Sequence, residues 1–158
     1  MTSVEVIENV LASGVLTKAL VHLPTVGADN DALKELSARL NRSLSMMHEQ
    51  ILKKWDGINL DVIRIYGVTS NVLGVKKIIT SQSFSPAPDA IVFADDPTGF
   101  LYAEAQNGEV LSIDSSSGEV EEKARNIDDF FTRLVFGKDA AEFMGDQWLE
   151  DLRASGIA

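Results

Sequence analysis

The sequence predicts a single α+β domain, because strand-like runs in its middle are flanked by segments with helical spacing. Residues 91–125 alternate short apolar runs with turn residues, as an antiparallel meander does. Residues 4–13 and 44–55 before them, and 127–136 after them, carry apolar side chains three and four positions apart. A chain of 158 residues without internal repeats has the length of one compact domain. We therefore interpret residues 1–158 as one domain.

The net charge of −10 is unevenly distributed along the chain. Residues 1–88 carry nine basic and eight acidic side chains, a net of +1, whereas residues 89–158 carry five basic and sixteen acidic ones, a net of −11. A negative field of this kind repels phosphates and attracts cationic partners, so we expect no nucleic-acid binding. The alternative is that the acidity only keeps the protein soluble.

The absence of certain residue types and segments indicates the compartment in which the protein works. Cysteine is absent, which excludes disulfides, thiolate metal sites and a cysteine nucleophile. No apolar run approaches the roughly 18 residues of a membrane-spanning helix, and residues 1–5 lack the basic start of a signal peptide. We expect a cytoplasmic protein that does not contact a membrane.

Three helices are predicted in the first third of the chain. Residues 4–13 form the first, with Ser3 as its cap. Asp29 or Asn30 caps the second, which carries three leucines at helical spacing. Residues 44–55 form the third, with an apolar stripe on one face. The apolar run over residues 15–26 fits either a helical piece or a strand.

The two histidines do not predict a metal site. His48 falls on the apolar stripe of the third helix, where a lone histidine indicates a packed core residue. His22 has no carboxylate or second histidine at metal-ligand spacing. We therefore expect His48 to be a core residue and neither histidine to belong to a metal site.

The next segments predict a central strand and a hairpin. Residues 58–67 read as one strand covered on both faces, and residues 68–85 as a helix followed by a loop. Further on, Asn107-Gly108 predicts a two-residue type I′ turn, which pairs Tyr102 with Ile113. That register places four bulky side chains on one core-facing side of the hairpin: Phe100, Tyr102, Leu111 and Ile113.

The meander ends in a strand at the sheet edge and is followed by helices. Residues 119–125 are mostly charged, as in edge strands that avoid pairing with other molecules. Asn126 then caps a helix over residues 127–136, and Gly137 is placed to end it in the left-handed conformation. Two short helical patterns follow in the tail, residues 138–158.

The order of these elements resembles that of the SUKH superfamily. The motifs that carry the resemblance are Trp55-Asp56-Gly57-Ile58, the segment 91–102, and Ile127-Asp128-Asp129-Phe130-Phe131. The similarity covers about residues 29–137, and the helical tail 138–158 resembles that of a bacterial branch. The chain departs from the family pattern in having Ser43-Leu44 where a proline is common, and Asp56-Gly57 for an Asn-Gly step.

The resemblance implies a mixed, mainly antiparallel sheet with helices packed around it. It also implies a function, because bacterial members of the superfamily bind and neutralise toxins, often nucleases, and eukaryotic relatives act as regulatory interaction proteins. Charge and resemblance together predict an immunity-type protein that docks a basic toxin domain through an acidic surface. Eight carboxylates are the candidate contacts, with an aromatic anchor if one is exposed. They are Asp95, Asp96, Glu104, Glu109, Asp114, Glu119, Glu121 and Glu122, with Tyr102 or Trp55 as the anchor.

Two alternatives stay open. A regulatory scaffold that binds another cellular protein needs the same kind of surface. A metal-dependent hydrolase would hold a divalent cation with Asp95, Asp96 and Glu104. However, Asp-Asp-Pro-Thr-Gly is also an ordinary turn composition, and no nucleophile elbow or phosphate-binding loop accompanies it. We therefore expect no catalysis and no cofactor, and the sequence leaves the oligomeric state open.

Overall fold

A computed structural model describes residues 1–12, 26–69, 72–82, 87, 89–154 and 156. These residues confirm the α+β class. The helices are α1 (Ser3–Ala12), α2 (Asn30–Leu40), α3 (Met46–Lys54), α4 (Ile127–Asp129), α5 (Ala140–Met144) and α6 (Asp146–Ala154). A 3-10 turn spans Ile79–Ser81, and a π-helical segment, Phe130–Val135, continues α4. No helix in the described ranges is long and apolar enough to cross a membrane.

In the described part of the chain, six strands form one sheet in which every strand pairs antiparallel with its neighbour in sequence. They are β1 (Ile58–Asn59), β2 (Arg64–Ile65), β3 (Ile91–Asp95), β4 (Phe100–Glu104), β5 (Val110–Asp114) and β6 (Val120–Ala124). A parallel bridge, Gly67 to Lys77, lies outside these strands. The predicted edge strand is confirmed as β6.

The sheet separates two apolar cores, since successive residues of a strand point to opposite faces. The tail-side core contains Tyr102 and Val110 of the sheet, with residues of α1, the π-helical segment and α6. The α2-side core contains Ala103 and Ile113, with Leu33 and Leu36 of α2. An irregularity in β3 between Val92 and Ala94 shifts the pairing register there. Helix α3 contributes to both cores.

The caps of α2 and α3 follow local side-chain chemistry. Asp29 accepts a hydrogen bond from the Ala32 amide at 2.8 Å, which confirms it as the α2 cap. Ser45 is extended and its hydroxyl accepts from the His48 amide at 3.4 Å, so α3 begins at Met46, later than predicted. The predicted Ser3 cap of the first helix is wrong. Ser3 is the first helical residue, and its amide and hydroxyl donate to Asp128, each at 2.8 Å. The predicted end of this helix beyond residue 12 lies outside the described residues, as does His22.

The predicted central strand over residues 58–67 is wrong, because the chain reverses within it. Asp61 has a φ of 68°, and the Asn59 side chain accepts a hydrogen bond from the Asp61 amide at 2.9 Å. Asparagine and aspartate favour such turns because their side chains bond to the backbone two residues on. The result is a tight hairpin of β1 and β2, in which Ile58 pairs with Ile65.

The β4–β5 hairpin has a different turn from the predicted type I′. Gly108 has a φ of 91°, whereas Asn107 keeps a negative φ. The Gly108 amide donates to the Ala105 carbonyl at 2.9 Å, and the Ala105 amide donates to the Glu109 carbonyl at 2.8 Å. The loop therefore has three residues, as in a type I turn closed by a left-handed glycine.

The longer loop shifts the predicted register by one residue. Tyr102 pairs with Ser112, and Leu101 pairs with Ile113. Because the side-chain period of a strand is two, the shift moves Leu111 and Ile113 to the opposite face from Tyr102. The predicted single bulky face is therefore wrong, and the hairpin supplies apolar side chains to both cores.

The helix predicted over residues 127–136 is present, but it changes from α to π geometry. Asn126 caps it as predicted, and its side chain accepts from the Asp129 amide at 2.7 Å. The Phe136 amide donates five residues back to the Phe131 carbonyl at 2.9 Å. Gly137 does not take the predicted left-handed conformation, since its φ is not positive. A Cβ there would lie 1.9 Å from the Thr132 carbonyl oxygen, so glycine is required by close packing.

Candidate protein-binding surface

Neither predicted aromatic anchor is exposed. Trp55 closes α3 and is 7% exposed, within the tail-side core. Tyr102 is 4% exposed and packs its ring against Phe130 and Phe143, with centroids 5.7 and 5.5 Å away. Its hydroxyl donates to Asp96 at 2.8 Å. Burial and the bond to Asp96 together raise the pKa of Tyr102 well above its ordinary value. Both aromatic rings are therefore core residues and not docking anchors.

Glu104 is also buried and therefore not a surface contact. Its side chain is 1% exposed and accepts from the Ser45 amide at 2.9 Å and from the Ser45 hydroxyl at 2.8 Å. One oxygen lies 3.6 Å from Nδ1 of His48, which is itself buried, as predicted. Burial acts to raise the pKa of Glu104, but His48 and Ser45 outweigh it, and the pKa lies below its ordinary value. This carboxylate joins β4 to the start of α3.

Asp95 is likewise taken up by structural contacts. It is 8% exposed and accepts a hydrogen bond from the Tyr66 hydroxyl at 2.8 Å. The Lys76 ammonium lies 3.5 Å from Asp95, and the Arg64 guanidinium lies 3.9 Å from it. Burial, with the bond to Asp95, raises the pKa of Tyr66 far above its ordinary value. Asp95 holds the β2–β3 end of the sheet together.

The structure does not bring Asp95, Asp96 and Glu104 together. Asp96 bonds the Thr98 amide and hydroxyl, at 2.9 and 2.7 Å, and so shapes the β3–β4 turn. Glu104 pairs with Ile91, four residues from Asp95 along β3, which corresponds to about 13 Å. Within the described part of the chain, no three His, Cys, Asp or Glu side chains are grouped to hold a metal ion. The metal-hydrolase alternative therefore loses its proposed centre.

The remaining predicted carboxylates lie along the β5–β6 side of the sheet. Glu109 precedes β5, Asp114 is its last residue, and both are half-buried. The Ser116 hydroxyl and amide bond to Asp114, at 2.7 and 2.9 Å, and lower its pKa. Glu119, Glu121 and Glu122 are exposed. We call the exposed stretch 119–122 the acidic edge.

Among the described residues, one member of the acidic edge has a charged partner. Glu121 lies 3.4 Å from the Lys123 ammonium. Such exposed ion pairs stabilise a protein by about 0–1 kcal/mol, so Glu121 can exchange Lys123 for another cation at little cost. Glu119 and Glu122 have no ion pair with any described residue. The acidic edge therefore presents carboxylates that remain available to an external cation.

A groove of about 380 Å³ lies beside the acidic edge, between the sheet and α5. It is floored by Tyr102 and Ser112, and by the exposed Phe100. Three carboxylates and two basic groups line its sides: Asp96, Asp139, Glu142, Lys123 and Arg133.

Of the two basic residues that line the groove, Arg133 is held in ion pairs within the protein. The Arg133 guanidinium donates to Asp139 at 2.8 Å and to Asp129 at 2.9 and 3.0 Å. These bonds hold the pKa of the Asp129 carboxyl far below its ordinary value. Glu142 is exposed and has no such partner among the described residues. The free charge at the rim is therefore negative, like that of the acidic edge.

Sequence reasoning did not single out the groove residues Arg133, Glu142 and Phe143. They belong to the π-helical segment and to α5, which reach the sheet only through long-range packing. The i, i+4 spacing of Asp129 and Arg133 is the one local signal of this arrangement. It identifies an ion pair but not the groove beside it.

No protein-family model matches the sequence, and no curated protein shows significant similarity to it.

Proposed function

We propose that the protein is a non-catalytic binding domain of the immunity type, which neutralises a toxin by docking its basic surface against the acidic edge. The observation that carries the proposal is the set of exposed carboxylates at residues 119–122, next to a groove whose unpaired rim charge is negative. A nuclease surface that binds phosphates is positive. An acidic partner finds such a surface quickly and covers the site that the phosphates use.

The inner carboxylates support a binding role over a catalytic one. Both oxygens of Glu104 accept hydrogen bonds from Ser45, and one oxygen of Asp95 accepts a hydrogen bond from Tyr66 inside the fold. A catalytic carboxylate needs access to a substrate, and burial at 1% and 8% exposure removes that access. The resemblance to the SUKH superfamily supports the same conclusion, since its bacterial members neutralise toxins by binding.

The test needs a toxin candidate, and the first to try is any basic protein whose gene lies beside this one. We expect a 1:1 complex by calorimetry and protection of cells that express the toxin. Replacing two unpaired carboxylates, Glu119→Gln with Glu122→Gln, is expected to lower the association rate about tenfold at low salt. The matched control removes two exposed charges from helices, Glu35→Gln with Glu150→Gln, and is expected to change the rate less than twofold.

Absence of a complex, with no protection of cells, overturns the proposal. Equal effects of the two double variants overturn the placement of the surface, because net charge alone would then explain the rate. A complex with a basic protein that is not toxic favours the regulatory scaffold.

A further inference from the structure

The backbone of the acidic edge has hydrogen-bonding groups that point away from the sheet. The Asp114 amide donates to the Glu119 carbonyl at 2.9 Å, so residues 114 and 119 form a hydrogen-bonded pair. In an antiparallel ladder, hydrogen-bonded pairs alternate with pairs that make no hydrogen bond to each other. The next pair, Val120 with Ile113, is therefore of the second kind. The N–H and C=O of Val120 therefore face outward. The same alternation, with Ser112 opposite Glu121, turns the backbone of Glu122 outward.

The two halves of β6 differ in how their outer side is covered. In the second half, the Arg133 guanidinium donates to the Lys123 carbonyl at 3.1 Å, and the Arg125 amide donates to Asp129 at 3.1 Å. In the first half, no described residue bonds the outward groups of Val120 or Glu122. The Val120 side chain is 41% exposed. The first half of β6 is therefore an open strand edge.

The side chains of this open edge define what would pair with it. Glu119 and Glu121 point to the face that carries the groove, because Glu121 is opposite Ser112, and Ser112 lines the groove. Val120 and Glu122 point to the other face. Carboxylates repel a second copy of the same edge and attract lysine or arginine. The complementary strand thus carries basic side chains on the groove face and an apolar one between them, opposite Val120.

We infer that the acidic edge binds its partner by strand addition: an extended basic segment of the partner protein pairs with residues 120–122 as a seventh strand. This inference rests on the proposed function and names its docking mode. Main-chain hydrogen bonds to Val120 and Glu122 hold the segment, and Glu119 and Glu121 select its basic side chains. The second half of β6 limits the added strand to a short segment, because its outer groups are already bonded.

The first test uses a synthetic peptide in which lysine and valine alternate, acetylated and amidated at its ends. At millimolar peptide, we expect hydrogen exchange at the amides of Val120 and Glu122 to slow at least tenfold. The control peptide has glutamate in place of lysine and is expected to leave these rates unchanged. Unchanged exchange with the lysine peptide, or equal protection by the glutamate peptide, overturns the inference.

The second test separates backbone pairing from charge. Val120→Pro removes the outward N–H and keeps every carboxylate, whereas Val120→Ala keeps the N–H and shortens the side chain. We expect the proline variant to weaken binding of the lysine peptide, and of the toxin candidate, at least tenfold, and the alanine variant less than threefold. Circular dichroism shows whether each variant is folded. If the proline variant is unfolded, the hydrogen-exchange measurement on the unaltered protein remains the test of strand addition.

The outcomes distinguish this inference from the proposed function. A toxin that binds the proline variant as tightly as the unaltered protein contradicts strand addition and leaves the immunity role standing. A lysine peptide that protects the two amides, in a protein that no toxin binds, supports strand addition and contradicts the immunity role.

Discussion

At the scale of single residues, Glu104 shows how a carboxylate contributes to the fold. Its oxygens take both hydrogen-bond donors of Ser45, the residue that caps α3, and one lies beside His48. The pair is almost fully enclosed, and the His48 ring also packs edge-on against Phe93 at 5.1 Å. Glu104 thereby fixes the start of a helix to a central strand, 59 residues away along the chain.

Replacing this carboxylate is expected to destabilise the protein in a pH-dependent way. Glu104→Gln keeps the shape and loses the charge, which is expected to reduce the free energy of unfolding by about 2 kcal/mol at pH 7. The folded-state pKa lies below the ordinary value of 4.5, so the charged form stabilises the fold above about pH 4.5. That contribution disappears as the pH falls through the folded-state pKa. Urea unfolding at pH 7, 4 and 3 checks it.

The expected pattern is a difference between the two proteins that narrows as the pH falls. Glu122→Gln, an exposed change of the same chemistry, is expected to leave the unfolding free energy within about 0.5 kcal/mol. A difference for Glu104→Gln that is constant from pH 7 to pH 3 would contradict the assigned role.

At the scale of elements, the π-helical segment connects the sheet to the helical tail. Val135 is the last residue of this segment, where helix carbonyls lack intrahelical partners, and its carbonyl accepts a hydrogen bond from the Trp148 indole of α6 at 2.6 Å. Directly after the segment, Gly137 allows the chain to pass against the Thr132 carbonyl. Ion pairs of Arg133 with Asp129 and Asp139 add polar contacts on the groove side. This junction therefore contributes to the placement of α5 and α6.

A methyl group at the junction tests its importance. Gly137→Ala places a Cβ against backbone that has no room to move, and we expect the free energy of unfolding to fall by about 2–3 kcal/mol. Gly108→Ala provides the contrast, because that site is left-handed but open, and its cost is expected to be about 1 kcal/mol. Urea unfolding of both variants measures the difference. A Gly137 variant as stable as the Gly108 variant would show that the junction tolerates rearrangement.

Elements that depend on local signals were predictable from the sequence. Asn126 was identified as a cap, and Asp29 as one of two candidates beside Asn30, because a cap needs only its own side chain and an amide three residues on. The turn at Asn107-Gly108 was located correctly, but its loop length was not. Asn107 bonds the Glu109 amide with its side chain at 3.0 Å and keeps a negative φ, which the dipeptide alone does not reveal.

The candidate site was predictable only in part, for a related reason. The exposed glutamates of β6 follow from an edge strand rich in charge. The burial of Asp95 depends on Tyr66, 29 residues away, and that of Glu104 on Ser45. Such partners meet only once the fold has formed. The composition therefore predicted that the surface is negatively charged, but not which carboxylates lie on it.

At the scale of the whole molecule, the excess of negative charge opposes compaction. The net charge is −10, and residues 89–158 account for −11. Repulsion among these groups is screened as salt rises, because the Debye length falls from about 30 Å at 10 mM to about 8 Å at 150 mM.

Salt is therefore expected to stabilise the folded protein. Raising sodium chloride from about 10 to 150 mM should increase the free energy of unfolding by on the order of 1 kcal/mol. The double variant Glu119→Gln with Glu122→Gln, which removes two exposed charges of the acidic edge, should show a smaller increase. Urea unfolding across the salt series tests both, and stability that decreases with salt would show that attractive pairs dominate instead.

The order of the strands has a consequence for how the chain acquires its fold. Each strand pairs with the one made just before it, so no strand waits for a distant segment to be synthesised. A nascent chain leaving the ribosome can extend the sheet one hairpin at a time, and the sheet ends with β6, whose outer side receives no further strand from the described residues. The edge left open by the last step of assembly is the same edge at which a foreign strand would be added.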